Sequence, residues 1–431
     1  MTMVIVAVAL LFLLLGSSIP VAAGMALLGL ILQQLYSPLP LHVIIGELAW
    51  STMTNPILAA VPFYILFGEL LLRSGIAERM YAAMMQWLSW LPGGLMHANI
   101  GACALFGSVS GSSVATAVTV GVVALDEMKK YRYHEPLYLG TLAAGGTLGI
   151  LIPPSINMIV YGVMTETSVP QLYLAGFLPG AILTVLFSLT VLALCWWRPQ
   201  YGGTKIKTSW PERIRSLPDL VPPLALLMIV VGAIFLGLAT ATESAAVGII
   251  GALAIVAWRR RLTWRMLKES FEGTIRTTAM VLAILVGAFF LNVVITGIGL
   301  TQQIGKLITA WKLSPTEVLL VVLAVYLVLG TFMEEMSMMV GTIPITFPIM
   351  MQAGYDPVWY GVLIVLLVQT AMITPPFGIN LFVIHGIRGR GQLHDVMNGS
   401  APFVITLVVM IALICIWPEI VMWAPRLAKG Q

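Results

Sequence analysis

Pro153-Pro154 in GILIPPSIN (Gly149 to Asn157) and Pro375-Pro376 in MITPPFGIN (Met372 to Asn380) each interrupt a long apolar segment with consecutive prolines in a similar local sequence. Tandem prolines remove two amide donors and collide with the preceding turn, so neither segment runs through as one helix. The setting gives these breaks their meaning. Of 431 residues, 59% are hydrophobic and 9% charged, and mean hydropathy is +0.98; soluble domains carry about 25% charged residues. At roughly 20 residues per span, the chain has room for about ten to twelve crossings. The longest polar interval, Arg198 to Ser216, is too short to fold alone. The expected class is an all-α polytopic membrane protein with no fused ATPase, binding domain or catalytic module. Irregular backbone survives at membrane depth only where protein or water covers it, so the two breaks mark interior sites with free carbonyls.

Apolar segments fall at about 3–16, 19–34, 55–74, 95–125, 136–164, 170–197, 217–238, 241–257, 272–296, 316–351, 357–387 and 400–424. The opening stretch lacks Lys or Arg before its apolar run and is expected to be a retained helix rather than a signal peptide. Segments 95–125 and 316–351 carry GSVSGSS (Gly107 to Ser113) and Glu334-Glu335 at their centres, and each is too short for two crossings. Gly and Ser clusters break helices, and an acidic residue at the bilayer centre costs about 2.5–3.5 kcal/mol. Each is therefore expected to be a re-entrant hairpin with a covered tip.

Landmarks recur in one register: Gly75-Ile76 with Gly297-Ile298, Pro92 with Pro315, Gly107 with Gly330, Glu135-Pro136 with Asp356-Pro357, the two Pro-Pro pairs, and Asn157 with Asn380, all at offsets of 221 to 223. Such a run argues for an internal duplication over at least 75–157 and 297–380. Between 55–74 and its counterpart 272–296 lie one hairpin and four crossings, so the counterpart starts on the opposite face. The repeats are then inverted, as in secondary transporters with midplane sites.

The expected organisation is N-terminal scaffold helices (1–54), a first repeat (55–200), a cytoplasmic loop (201–216), further scaffold helices (217–270) and a second repeat (271–431). Amphipathic arms at about 76–91 (Met80, Met84, Trp87, Leu88) and 299–312 (Ile304, Leu307, Ile308, Trp311) are expected to link the rigid bodies at the interface. Eighteen Lys and Arg residues, from Arg73 through Lys205, Lys207 and Arg259-Arg260-Arg261 to Arg390, fall on one side of this topology, while Lys306, Lys312, Arg426 and Lys429 fall on the other. The positive-inside rule makes the first side cytoplasmic and puts both termini outside. Trp196-Trp197, Trp258 and Trp264 read as interfacial anchors beside that charge.

Cys103, Cys195 and Cys415 have no CxxC spacing, and the five histidines never pair at i, i+3 or i, i+4, so neither a disulfide framework nor a metal cage is expected. The first tip offers the hydroxyls of Ser108, Ser110, Ser112 and Ser113 with backbone freed by Gly107 and Gly111, opposite carbonyls of Gly149 to Pro154. Neutral oxygens suit a hard monovalent cation, and Na⁺ is the ion expected. The second tip, Gly330 to Ser337, adds Thr331, Glu334, Glu335 and Ser337 facing Thr374, Pro375 and Gly378; one carboxylate there ligates Na⁺ or takes a proton, and adjacent helical positions leave open which. Glu69 and Arg73, one turn apart, read as a local ion pair. No catalytic set and no continuous polar pore is visible, which sets aside an enzyme or a channel.

LFGSVSGSSVATAVTVG (Leu105 to Gly121), LGILIPPSINMIVYG (Leu148 to Gly162), LYLAGFLPG (Leu172 to Gly180), LATATESAAVG (Leu238 to Gly248), LGTFMEEMSMMVGTIPITFPI (Leu329 to Ile349) and ITPPFGINLFVIHGI (Ile373 to Ile387) together resemble the large membrane subunit of tripartite ATP-independent periplasmic (TRAP) transporters, over nearly the whole chain. The resemblance implies a bacterial or archaeal inner-membrane elevator driven by Na⁺ and taking up dicarboxylates, sialic acids or sugar acids. It implies two partners, a small four-helix membrane subunit and a periplasmic substrate-binding protein, and no nucleic acid. It implies Na⁺ sites from Ser108, Ser110, Gly111 and Ser112 with Gly149 and Pro153, and from Gly330, Thr331 and Glu334 with Thr374, Pro375 and Gly378. Substrate would lie between the tips, near Ser113, Ser155, Asn157, Glu335, Ser337 and Asn380. Two positions depart from the family pattern: Ala241 stands where Pro is frequent, and Glu334 where Asp is. The competing expectation is a carrier of the same superfamily, coupled to Na⁺ or H⁺, that works without a binding protein.

Overall fold

Among the described residues, Gly and Pro punctuation divides the chain into twenty α-helices. A computed structural model describes residues 2–16, 19–204, 206, 208–331 and 333–428; Lys205, Lys207 and Lys429 lie outside the described residues, as do the side chains of Leu307 and Ile308. The first five helices are α1 (Thr2–Gly16), α2 (Val21–Tyr36), α3 (Ile45–Met53), α4 (Ala60–Arg73) and α5 (Ile76–Leu88). Next come α6 (Leu95–Ser110), α7 (Ser113–Tyr131), α8 (Glu135–Thr147), α9 (Ile156–Thr165) and α10 (Val169–Trp197). The middle of the chain forms α11 (Trp210–Phe235), α12 (Ala241–Trp258), α13 (Trp264–Gly297) and α14 (Leu300–Ala310). The last six are α15 (Pro315–Leu329), α16 (Glu335–Gln352), α17 (Pro357–Ile373), α18 (Ile379–Arg388), α19 (Leu393–Ile416) and α20 (Glu419–Ala428).

Five helices, α10, α11, α12, α13 and α19, are each long and apolar enough to cross a membrane, and α4 with α5 forms a pair bent by 68°. The bend sits at Gly75, whose φ of +73° favours a residue without Cβ. In the second half the left-handed residue between helix and arm is Gly299 (φ +71°), two positions beyond the Gly297 matched by spacing.

Three sequence boundaries are corrected. The segment 400–424 is two helices, α19 and α20, divided at Trp417-Pro418, and α19 begins at Leu393, ahead of the hydropathic stretch. Helix α11 begins inside the expected loop 201–216, because Ser209 and Glu212 form a reciprocal capping box at its start. Helix α3 occupies a stretch where no apolar segment was expected.

Both segments expected to fold back do so. Leu95 N–H donates to Tyr133 Oη at 2.9 Å, which sets the start of α6 beside the residues after α7. Likewise Tyr355 Oη donates to Pro315 O at 3.1 Å, joining the start of α15 to the residues after α16. Both tandem-proline bonds are cis, and each lies between a longer helix (α8, α17) and a ten-residue one (α9, α18).

Contacts between the halves are exchanged. α7 packs on α18 and α16 on α9; α8 packs on α19 and α17 on α10. At the centre Gln369 Nε2 donates to Thr147 O at 2.7 Å, a bond between positions 222 apart, which is the repeat offset itself. Helices α8 and α17 are buried on nearly every side. α8 and α19 cross backbone to backbone at Gly140 and Gly399, where a Cβ on Gly140 would lie 2.8 Å from Ser400 N.

The remaining helices build a flank. α4 and α13 pack on each other, α13 also on α2 and α3, α4 on α12, and α5 on α11. Arg79 and Arg259 both reach Asp219, at 3.2 and 3.5 Å, and Arg73 donates to Glu269 O at 3.1 Å, so these basic residues meet at one end of the flank. Trp196, Trp197, Trp258 and Trp264 are exposed.

Candidate functional site

At the first tip, α6 ends at Ser110, Gly111 takes a φ of +62°, and Ser112 caps α7 by accepting Ala115 N–H at 3.4 Å. Ser110 Oγ is hydrogen-bonded to Thr116 Oγ1 at 2.8 Å and donates to Ser112 O at 3.3 Å, while Thr116 Oγ1 donates to Ser112 O at 2.7 Å. The glycines bring this tip directly onto the loop before α9. A Cβ on Gly111 would stand 3.1 Å from Pro154 O, and one on Gly149 would stand 3.0 Å from both Ser112 O and Thr116 Oγ1. Four neutral oxygens therefore gather there: Ser110 Oγ, Thr116 Oγ1 and the carbonyls of Ser112 and Pro154. Ser108 Oγ turns back to Leu105 O at 2.7 Å, into its own helix.

The second tip is longer, with residues 330–334 between α15 and α16. Its two glutamates divide. Glu334 caps α16, accepting from Met336 N–H at 3.2 Å, Ser337 N–H at 3.0 Å and Ser337 Oγ at 2.6 Å. Glu335 has Oε2 shielded from solvent without a hydrogen-bond partner. Thr331 and Thr374 donate back to Val328 O (2.7 Å) and Thr370 O (2.6 Å). A Cβ on Gly330 would meet Ala371, and one on Gly378 would lie 2.6 Å from Met372 O, so both glycines serve close backbone approach. Pro153 and Pro154 are buried whereas Pro375 and Pro376 are exposed, which leaves the second half of the site more open.

One cavity of about 420 Å³ brings the two halves together. Ser110, Gly111 and Ser112 line it from the first tip, and Glu334 and Glu335 from the second. Ile156 and Asn157 of α9 and Ile379 of α18 complete that side, while Gly68, Glu69, Thr277 and Met280 of α4 and α13 form the opposite wall. Asn157 is 1% exposed, and neither its Oδ1 nor its Nδ2 has a partner. Its counterpart Asn380 is held internally, donating to Ser113 Oγ at 2.8 Å and Ala143 O at 3.0 Å. Ser155 Oγ donates to Ile150 O at 2.6 Å. Ser113, Ser155, Ser337 and Asn380 thus belong to the supporting bonds and lie outside the lining, as do Ser108, Gly149, Pro153, Gly330, Thr331, Thr374, Pro375 and Gly378.

Besides the apolar lining, Thr116, Gly68, Glu69 and Thr277 join the site without having been singled out for it. Glu69 does pair with Arg73, at 3.1 Å, yet it also faces the cavity. Gly273 makes room for it, since a Cβ there would stand 2.8 Å from the carboxylate. The i, i+4 spacing accounts for the pair and gives no sign of the cavity.

A multi-span helical protein whose paired helix breaks converge on a solute-sized cavity is, as a class, a transporter permease, not an enzyme. The chain belongs to the family described as tripartite ATP-independent periplasmic transporter, DctM component, whose model matches residues 7–420. It is 31% identical over 377 residues to the sialic acid TRAP transporter large permease protein SiaM of Vibrio cholerae (87% of this chain, 88% of that one). It is 33% identical over 379 residues to the C4-dicarboxylate TRAP transporter large permease protein DctM of Pseudomonas aeruginosa (88% of each). It is 31% identical over 379 residues to the ectoine TRAP transporter large permease protein TeaC of Halomonas elongata (86% of each). Among solved structures, the YdaH transporter of Alcanivorax borkumensis shares the fold, with a TM-score of 0.63 at 16% identity over 96% of this chain and 99% of that one.

Proposed function

We propose that the chain drives Na⁺-coupled uptake of a small organic acid across the cytoplasmic membrane by an elevator movement, with both termini outside. Its partners are a small four-helix membrane subunit and a periplasmic binding protein that delivers the solute. The observation that carries this reading is the convergence of two hairpin tips and two half-helix starts on a single cavity of about 420 Å³. The neutral oxygens around Ser110, Ser112, Thr116 and Pro154 suit Na⁺, and Glu334 with its neighbouring backbone offers a second site. Each charge crossing about 100 mV contributes about 2.3 kcal/mol, so two Na⁺ with a solute of at most one net negative charge concentrate it without ATP.

In this reading the two repeats are inverted. The frame consists of α1–α5 with α11–α14, and the moving body of α6–α10 with α15–α20. The cavity then lies on the seam, with Gly68, Glu69 and Thr277 on the frame side. This assigns α4, α5 and α13 to the frame on their packing against α12, α11 and α2 respectively, and α14 with them on its packing against α13 and α1.

The test is uptake by the complete three-component system in proteoliposomes. Uptake is expected to need an inward Na⁺ gradient and to fall when Ser110→Ala and Ser112→Ala are combined. Uptake that persists without Na⁺ overturns the coupling. Uptake indifferent to added binding protein favours the stand-alone carrier.

A further inference from the structure

The charge of the cavity carries information about its cargo. Three carboxylates line it, Glu69, Glu334 and Glu335, and the described lining residues include no Lys, Arg or His. Glu69 is neutralised by Arg73 at 3.1 Å, and that guanidinium also donates to Glu269 O at 3.1 Å. Glu334 is engaged by Ser337 and Met336. Glu69 Oε2 and Glu335 Oε2 are both shielded without a hydrogen bond, but Glu69 has the Arg73 guanidinium beside it and Glu335 has no described cation. A Na⁺ at the second tip offsets one of the two remaining negative charges, so the lining stays acidic where solute binds. A dianion placed there meets the Glu335 carboxylate, and no Lys, Arg or His in the described lining answers its second charge.

The same cavity also has a donor-rich part. Asn157, 1% exposed and unbonded at both amide atoms, stands in the first turn of α9. The ten-residue α9 has no side-chain cap, because Ser155 Oγ donates to Ile150 O instead of accepting from the first turn. The first N–H groups of a helix, with its dipole, favour an anion.

Resting on the transport reading above, we propose that the cargo is a zwitterion: Glu335 holds its ammonium or amidinium group, and the Asn157 amide with the first turn of α9 holds its carboxylate. Glu335 is thus a specificity-determining residue.

The experiment compares ectoine and 4-aminobutyrate, which are zwitterions, with succinate and malate, which are dianions. Ligand-induced shifts in melting temperature are measured on the detergent-purified membrane complex in Na⁺, with the binding protein left out so that its own selectivity does not enter. At least one zwitterion is expected to stabilise the wild type, and neither dianion. Glu335→Gln is expected to weaken the zwitterion at least tenfold, and Glu335→Asp to retain the preference. A dianion that stabilises the wild type as well as the zwitterions, no stabilisation by any of the four, or an unchanged ranking in a folded Glu335→Gln variant overturns the inference. Na⁺-dependent uptake of a dianion alone by the complete system overturns it too and leaves the transport reading standing. Uptake that never depends on Na⁺, for any solute, defeats the transport reading itself.

Discussion

Gly68 is the point where the proposed frame touches the first tip, and bulk added there tests whether the two bodies separate. A Cβ at this position would lie 3.0 Å from Ser110 O and 3.2 Å from Ser110 Cα, both backbone atoms. Comfortable carbon contacts lie at about 3.5–4.0 Å, so alanine asks the tip to retreat by roughly half an ångström. Valine extends further into the same backbone and requires a retreat of about 1 Å or more. Overpacking of this kind costs about 1–3 kcal/mol. At about 1.4 kcal/mol per tenfold, that biases the protein against the present conformation by roughly 5- to 150-fold. If every cycle passes through this conformation, initial uptake falls at least about fivefold in Gly68→Val and by less in Gly68→Ala, from the same Na⁺ gradient. Melting temperature and surface expression are measured in parallel to separate a blocked movement from a misfolded chain. Wild-type uptake by a well-folded Gly68→Val variant would refute the contact as a feature of the working cycle.

The two repeat-related asparagines are predicted to behave oppositely. Asn380→Ala breaks two buried bonds and leaves Ser113 Oγ without its donor, a loss of about 2 kcal/mol seen as a lower melting temperature. Asn157→Ala breaks no bond, so stability stays within about 0.5 kcal/mol while uptake drops. Arg388 joins the start of α8 to α18 and α19 through Glu135 at 2.9 Å and Asp395 at 2.8 Å, with 6% of its side chain exposed. Arg388→Ala is expected to cost about 1.5–3 kcal/mol and Glu135→Gln less, because Asp395 remains; equal thermal losses would contradict this order.

The sequence carries the breaks of this fold clearly and the surfaces between its bodies hardly at all. Gly111 and Ser112 act through local backbone chemistry, and the pairs Pro153-Pro154 and Pro375-Pro376 break their segments while Pro222-Pro223 stay inside α11, so the repeat spacing, more than the prolines alone, makes the broken helices legible. Glu69 and Gly68 sit in an unbroken apolar helix, and only packing against α13 and the first tip gives them a role. Asn157 and Asn380 show the limit most directly. They occupy matching positions, yet one is bound on two sides and the other faces open space, because the first tip supplies Ser113 and the second offers no equivalent. The beginning of α19 escaped hydropathy for a different reason: His394 and Asp395 interrupt the apolar pattern while Asp395 and Gln392 cap the helix.

The exchanged contacts between the halves also bear on how the chain is made. Ser113, at the head of α7, receives its bond from Asn380, 267 residues later. At ribosomal speeds of about 5–20 residues per second, the earlier element waits roughly 13–50 s for its partner. The first half therefore emerges with the bonds among Ser110, Ser112 and Thr116 available to it and with Ser113 still short of the donor that comes from the second half. A product truncated before Asn380 leaves Ser113 Oγ without that donor.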